Sequence, residues 1–382
     1  MVTPLTMRIA QIAPLTEAVP PKLYGGTERV ISYLTEALVE AGHEVTLFAS
    51  GDSQTSAKLA ASWPKALRLD SIVRDTLAPQ LLMLEDVLHH ADEFDVLHSH
   101  IEHHAFPLLT RQSVPFLTTL HGRMDLPELQ LVYNLFNEVP VVSCSDNQRQ
   151  PMPQANWVST IHHGLPEHLL TPVPNAGSGY LAFLGRICPE KRVDRAIRIA
   201  SAAGMKLKIA AKVDAFDQVY FEQEIEPLFG LPHVEYIGEI SNAEKSDFLG
   251  NACGLLFPID WPEPFGLVMI EAMACGTPVI AFNHGSVSEV IEDGVSGLIV
   301  EDELSAIAAV KRLNALPRAK VREAFEKRFT AKTMAERYVQ AYEILMSQKC
   351  QNGQPAVKSV NGPLNTSKAR ITDGARKVAE ES

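Results

Sequence analysis

Short apolar runs alternate with stretches of helical spacing from the first residues onward. Met7 to Pro14 reads as a buried first strand. From Thr27 to Ala41 the apolar positions Val30, Ile31, Leu34, Leu38 and Val39 fall on one helical face, and Gly42 closes the helix. Glu44 to Ser50 is a second strand, so the chain opens β-α-β. Further strands are predicted at Phe94 to His98, Pro115 to Leu120, Pro140 to Ser143 and Val158 to His162, which makes this half a doubly wound sheet. Periodicity then disappears between Pro166 and Gly179, a stretch rich in Pro, Asn, Gly and Ser that reads as an interdomain linker. A second series follows, with strands near Tyr180 to Gly185, Lys206 to Ala211, His233 to Gly238, Gly254 to Ile259, Pro278 to Phe282 and Gly297 to Val300. Helices such as Arg192 to Ala203 and Asp302 to Leu313 alternate with them.

The fold class this predicts is α/β, with two doubly wound, Rossmann-like domains at 1–168 and 169–330. A central cleft between them would be faced by strand C-termini and helix N-termini. The helical pattern Ala331 to Met346 is expected to cross back and brace the first domain. Ser347 to Ser382 carries no aromatic residue and many polar ones, and is expected to be disordered.

Length supports two domains, since 382 residues exceed one ordinary core. A net charge of -12 argues against a general nucleic-acid binder. The N-terminus lacks the basic and apolar regions of a signal peptide, and no run approaches the roughly 18 apolar residues of a membrane span. The five cysteines show neither Cys-x-x-Cys nor framework spacing, which predicts reduced thiols and a cytoplasmic protein.

The stretch from Glu263 to Pro278 concentrates the candidate chemistry. Glu263 precedes a Pro-Phe-Gly loop, the run Leu267 to Ala274 is helical in composition, and Gly276 with Pro278 ends it. Glu271 therefore lies inside the helix. Between the two carboxylates stand the free N–H groups of a helix start, which favour phosphate. A ligand with a polyol, a pyrophosphate and a ribose in series fits that layout. Gly25-Gly26-Thr27 opens the first helix, where glycine lets the backbone approach a ligand. Gly185-Arg186, read as the end of a strand, and Lys191 offer two cations for a pyrophosphate, each contact contributing about 1.5–3 kcal/mol.

Histidines end several strands: His98 and His100, then His121 before Gly122, then His162 and His163. His121 is placed to face the cleft. The group His98, His100, His103 and His104 could hold zinc, but no nearby carboxylate or cysteine completes ligand spacing. No Asp-x-Asp pair, Walker loop, Gly-x-Ser-x-Gly elbow or Gly-x-Gly-x-x-Gly fingerprint is present, and a nicotinamide oxidoreductase loses ground accordingly. No metal and no cofactor are expected.

Gly25-Gly26, His121-Gly122, Gly185-Arg186 with Lys191, and Glu263-Pro-Phe-Gly-Leu to Glu271, in this order, resemble family 4 of the retaining, nucleotide-sugar-dependent glycosyltransferases. The resemblance spans about Met7 to Met346 and implies the GT-B architecture. Pro21 to Glu28 and Ile209 to Asp214 look like a bacterial subgroup that includes antibiotic- and polysaccharide-assembly enzymes. It implies that Arg186 and Lys191 hold the diphosphate, that Glu263 meets the donor-sugar hydroxyls, and that the amides of Phe265, Gly266 and Leu267 touch sugar and phosphate. Glu271 would accept from the ribose, His121 would lie beside the sugar, Gly26 would approach the phosphate, and the backbone at Ile240 would read the base. Many relatives carry a glycine-rich turn where this chain has Ala210 to Asp214. The implied reaction transfers a hexose with retention to a glycan or small-molecule hydroxyl, with UDP-glucose the default donor over GDP-mannose. Loops at Tyr24 to Glu28 and Arg123 to Asp125 would meet the acceptor. A lipid-linked acceptor would need membrane contact that no basic amphipathic helix supports. The alternatives are a nucleotide-sugar epimerase of the same architecture and a non-catalytic two-domain binding protein.

Overall fold

The computed structural model describes residues 6–22, 25–173 and 179–352. The first half builds a seven-stranded sheet in the order β3-β2-β1-β4-β5-β6-β7. Its strands are β1 Arg8–Ile12, β2 Glu44–Ser50, β3 Lys58–Trp63, β4 Val96–Ser99, β5 Phe116–Leu120, β6 Pro140–Ser143 and β7 Asn156–Thr160. The second half builds a six-stranded sheet, β10-β9-β8-β11-β12-β13. Here β8 is Tyr180–Ile187, β9 Lys206–Val213, β10 Val234–Gly238, β11 Gly254–Phe257, β12 Val279–Phe282 and β13 Gly297–Val300. Every pairing is parallel.

The central strands are buried on both faces, β4, β11 and β12 without exception, and this explains their continuous apolar runs rather than alternation. The edge strand β3 was not anticipated. Its sequence, Lys-Leu-Ala-Ala-Ser-Trp, carries small residues of low strand preference and is only half-buried. The order of both sheets reverses beside β1 and β8, so each half has a switch point where its strands' C-terminal ends open a crevice. Those two crevices hold the glycine loop after β1 and the loops after β8 and β11.

Beyond Arg328 the chain returns to the first half. Leu165 and Thr330 form a bridge, with Leu165 N donating to Phe329 O at 2.9 Å and Ala331 N donating to Leu165 O at 2.7 Å. A Cβ on Gly164 would overlap the Thr330 carbonyl, so two chain passages touch here without a side chain between them. The helix Ala331–Asn352 then packs on the first helix, Gly26–Glu40. It buries Tyr338 and Tyr342 against the first sheet, where Tyr342 Oη lies 2.7 Å from His98 Nδ1 and Tyr338 Oη 2.8 Å from Thr119 Oγ1. This helix runs to Asn352, six residues past the boundary read from the sequence, so the tail expected to be disordered from Ser347 begins inside it; residues 353–382 lie outside the described residues. Among the described residues no helix is long and apolar enough to cross a membrane.

Candidate active site

The loop after β11 turns into the helix Leu267–Ala274 through Gly266, whose φ of 78° is left-handed. A Cβ there would lie 2.9 Å from Met269 Cε and 3.0 Å from Phe257 Cζ, so only glycine starts the helix at this point. No side chain caps that start. Leu267 and Val268 of this uncapped start line a cavity of about 240 Å³ formed between the two halves, together with Phe265 and Gly266.

Glu263 and Glu271 each enter this cavity with a lysine. Lys191 Nζ pairs with Glu263 Oε2, and Trp261 Nε1 donates to the same oxygen at 2.8 Å. Lys191 also lies over the Trp261 ring at 5.2 Å. Glu271, buried on the helix, takes Lys245 Nζ on Oε1 at 2.5 Å. Lys245 comes from the helix Asn242–Gly250, which Ser241 and Glu244 open with a capping box. The loop is fixed from below by Ser286, whose N–H reaches Glu263 O at 3.0 Å and whose hydroxyl reaches Phe265 O at 2.7 Å.

The opposite wall belongs to the first half. Gly26 opens the first helix, and a Cβ on it would lie 3.7 Å from Leu267 Cδ1, so the two helix starts nearly touch. Gly25 leaves no room for a side chain beside Pro21 and Glu28. Tyr24 lies outside the described residues. His121 follows β5, and Glu102 Oε1 accepts from the N–H groups of His121 (2.8 Å) and Gly122 (3.0 Å). Glu102 itself sits at a φ of 52°, a backbone state that non-glycine residues rarely adopt. Burial pushes its carboxyl up to about 7 against the pull of those two amides. Burial also brings the His121 imidazole down to about 4, so it is neutral at pH 7. Arg123 pairs with Asp125 through two contacts of 2.6 and 2.7 Å and lies over Trp261 at 5.8 Å, bridging the cleft.

The structure brings most of the residues singled out in the sequence to one cavity. Gly25, Gly26, His121, Lys191 and Glu263 line one cavity, with Phe265, Gly266, Leu267, Glu271 and Ile240. Arg186 does not join them. β8 continues to Ile187 instead of ending at Gly185, and the cavity is lined by Leu184 and Gly185 of this strand but not by Arg186. Its guanidinium lies 2.8 Å from Glu190, 3.6 Å from Asp214 and 3.5 Å from Asp217. The cations that do line the cavity include Lys212, on β9, and Arg29, on the first helix, neither picked out by sequence. Lys245 and Glu102 were missed as well, because their partners lie 26 and 19 residues along the chain, and so was Trp261, although its partner Glu263 is only two residues away. The dipeptide spacing Trp261-Pro-Glu263 was the one local signal. His98, one of the four histidines weighed as zinc ligands and set aside, bonds Tyr342 and Thr119, and among the described residues no group of three or more His, Cys, Asp or Glu is placed to hold a metal ion.

Residues 24–176 match the model for Glycosyltransferase Family 4, and residues 172–331 that for Glycosyl transferases group 1. The two matches divide at the segment that joins the two sheets. The chain is a GT-B glycosyltransferase. It is 26% identical over 227 residues to an uncharacterized glycosyltransferase of Methanocaldococcus jannaschii, covering 55% of this chain and 62% of that one. It is 26% identical over 329 residues to a phosphatidyl-myo-inositol mannosyltransferase of Mycolicibacterium smegmatis, covering 79% and 83%. The fold of this glycosyltransferase also matches HepE of Anabaena, crystallised with UDP-glucose, with a TM-score of 0.67 at 19% identity over 89% of this chain and all of that one.

Proposed function

We propose that this glycosyltransferase transfers a hexose from a nucleotide sugar, with UDP-glucose the default donor, to a hydroxyl of a glycan or small molecule, retaining the anomeric configuration and using no metal. The observation that carries the reading is the pairing of Glu263 and Glu271 across an uncapped helix start, in one cavity with His121. The pyrophosphate would sit on the amides of Leu267 and Val268 with Lys191, the ribose against Glu271, and the base near Ile240. Glu263 would accept from sugar hydroxyls, and His121 would lie beside the sugar. Diphosphate stabilisation then falls to Lys191 and the helix start, with Arg186 supporting from outside the cavity. A UDP-bound neighbour of the same fold supports the choice of base.

In the transfer, the acceptor oxygen forms its bond to the anomeric carbon on the face from which the diphosphate leaves. The bond from that carbon to phosphate breaks, and the acceptor proton passes to a departing phosphate oxygen. No protein side chain becomes covalently attached. Lys191, beside Glu263, supplies positive charge next to the growing phosphate charge as sugar hydroxyls engage that carboxylate.

Incubating the enzyme with UDP-glucose and an acceptor panel should release UDP and give a hexosylated product with the donor's anomeric configuration. Glu263→Gln should lower turnover by about 100-fold, within the range for losing one transition-state contact, with the thermal midpoint nearly unchanged. Wild-type turnover in a folded Glu263→Gln protein contradicts the assignment. UDP-glucose whose sugar changes configuration without acceptor would establish an epimerase, and donor returned unchanged in the presence of every acceptor would favour a binding protein.

A further inference from the structure

A second histidine stands on the first-half wall of the cavity. His163 follows β7, is 4% exposed and lines the cavity together with His121. The two rings are stacked, with centroids 5.2 Å apart and an interplanar angle of 25°. On its other side His163 meets Phe265, at 4.8 Å and 59°, on the loop between Glu263 and the helix start. The ring is thus clamped between the wall that carries His121 and the loop that carries Glu263.

The two nitrogens of His163 differ. Nδ1 is fully enclosed and has no hydrogen-bond partner. Nε2 is not enclosed in that way, and the residue lines the cavity. A neutral imidazole carries one N–H, and burying a donor without an acceptor is rarer and costlier than burying a bare lone pair. The hydrogen therefore belongs on Nε2. Burial and the neighbouring His121 and His162 keep the ring neutral, holding it well below the usual histidine range. A neutral N–H complements Glu263 across the cavity. One wall offers a carboxylate that accepts from hydroxyls, and the other a ring N–H that meets no acceptor among the described residues.

We infer that His163 is a donor-sugar contact, giving a hydrogen bond from Nε2 to an oxygen of the transferred hexose on the face opposite Glu263. The inference rests on the nucleotide-sugar reading of the site. It adds a specificity-determining residue, since a sugar lacking that oxygen would leave a second nitrogen of a buried ring without a partner.

Titration calorimetry with UDP and with UDP-glucose tests it on the full-length protein and two variants. His163→Phe keeps the ring packed between His121 and Phe265 and removes the donor. His163→Gln carries an amide nitrogen at the same reach as Nε2. The expected result is a loss of about tenfold or more in UDP-glucose affinity for His163→Phe, from one hydrogen bond left unmade. Its UDP affinity should equal that of the wild type, and His163→Gln should recover most of the loss. Equal UDP-glucose affinity in the wild type and a folded His163→Phe overturns the inference alone. A matching loss for UDP and UDP-glucose also overturns it, and assigns the contact to the diphosphate. Wild-type protein that binds no UDP, GDP or ADP sugar overturns the donor reading, and this inference with it.

Discussion

Each glutamate of the site is neutralised by its own lysine, and the two pairs have different consequences. Lys245 and Glu271 are both nearly enclosed, with side-chain exposures of 13% and 6%, so removing either leaves a buried charge. Lys191 and Glu263 are somewhat more exposed, at 18% and 13%. Glu263 and Glu271 were legible in the sequence because a helix start with carboxylates on either side is a local pattern. Lys191 was picked out as a cation for the diphosphate, but its pairing with Glu263, 72 residues away, was not, and neither was Lys245, 26 residues from Glu271, because only the folded sheet closes those separations. Glu102 escaped notice for the same reason, and it gives a pH test. Its folded carboxyl holds a proton up to about 7, whereas its unaltered value is 4.5. Between those values the folded chain binds more protons than the unfolded one, so this group's contribution to stability falls as pH rises through the window. Denaturant midpoints at pH 5 and pH 8 should therefore drop less in Glu102→Gln than in the wild type, by up to about 3 kcal/mol at about 1.4 kcal/mol per pKa unit. The same pH slope in both proteins would show that Glu102 does not carry that proton.

At the scale of elements, the site is made by turns that only glycine can complete. Gly285, at a φ of 60°, lies so close to the Glu263 loop that a Cβ would overlap the backbone of Pro262 and Glu263. Gly285→Ala should push that loop off its Ser286 bonds. It should lower transfer activity by well over tenfold and destabilise the fold by about 1–3 kcal/mol from the left-handed backbone and the overlap. Unchanged kinetics in Gly285→Ala would mean that the loop tolerates displacement and that Glu263 is not held by it. Strand positions in both halves were readable from apolar runs, mostly to within one or two residues. The error that mattered was two residues at the end of β8. A strand read as stopping at Gly185 puts Arg186 in the loop beside the cleft, whereas the real strand keeps it in the sheet, paired with Lys212 of β9, with its guanidinium beside Glu190, Asp214 and Asp217.

Across the whole molecule, the two halves are held by contacts that bracket the cavity. At one end Glu289 accepts from the N–H groups of Asp146 (2.7 Å) and Asn147 (2.8 Å), with His162 at 3.4 Å. At the other, Arg68 pairs with Glu17 at 2.9 Å and reaches Asp214 of the second half at 3.7 Å. The tandem architecture was legible in the repeat of strand and helix signals, whereas these bridges join residues of no distinctive local pattern. The proposed function would put the nucleotide at the Glu271 end and the sugar at the Glu263 end of one cavity. Isothermal titration of UDP and UDP-glucose into Glu271→Gln and Glu263→Gln tests that polarity most directly. Glu271→Gln should weaken both ligands by about tenfold, or about 1.4 kcal/mol. Glu263→Gln should bind UDP at least as tightly as the wild type, because Lys191 is released, and should weaken UDP-glucose alone. Equal loss of UDP affinity in the two variants would contradict the account.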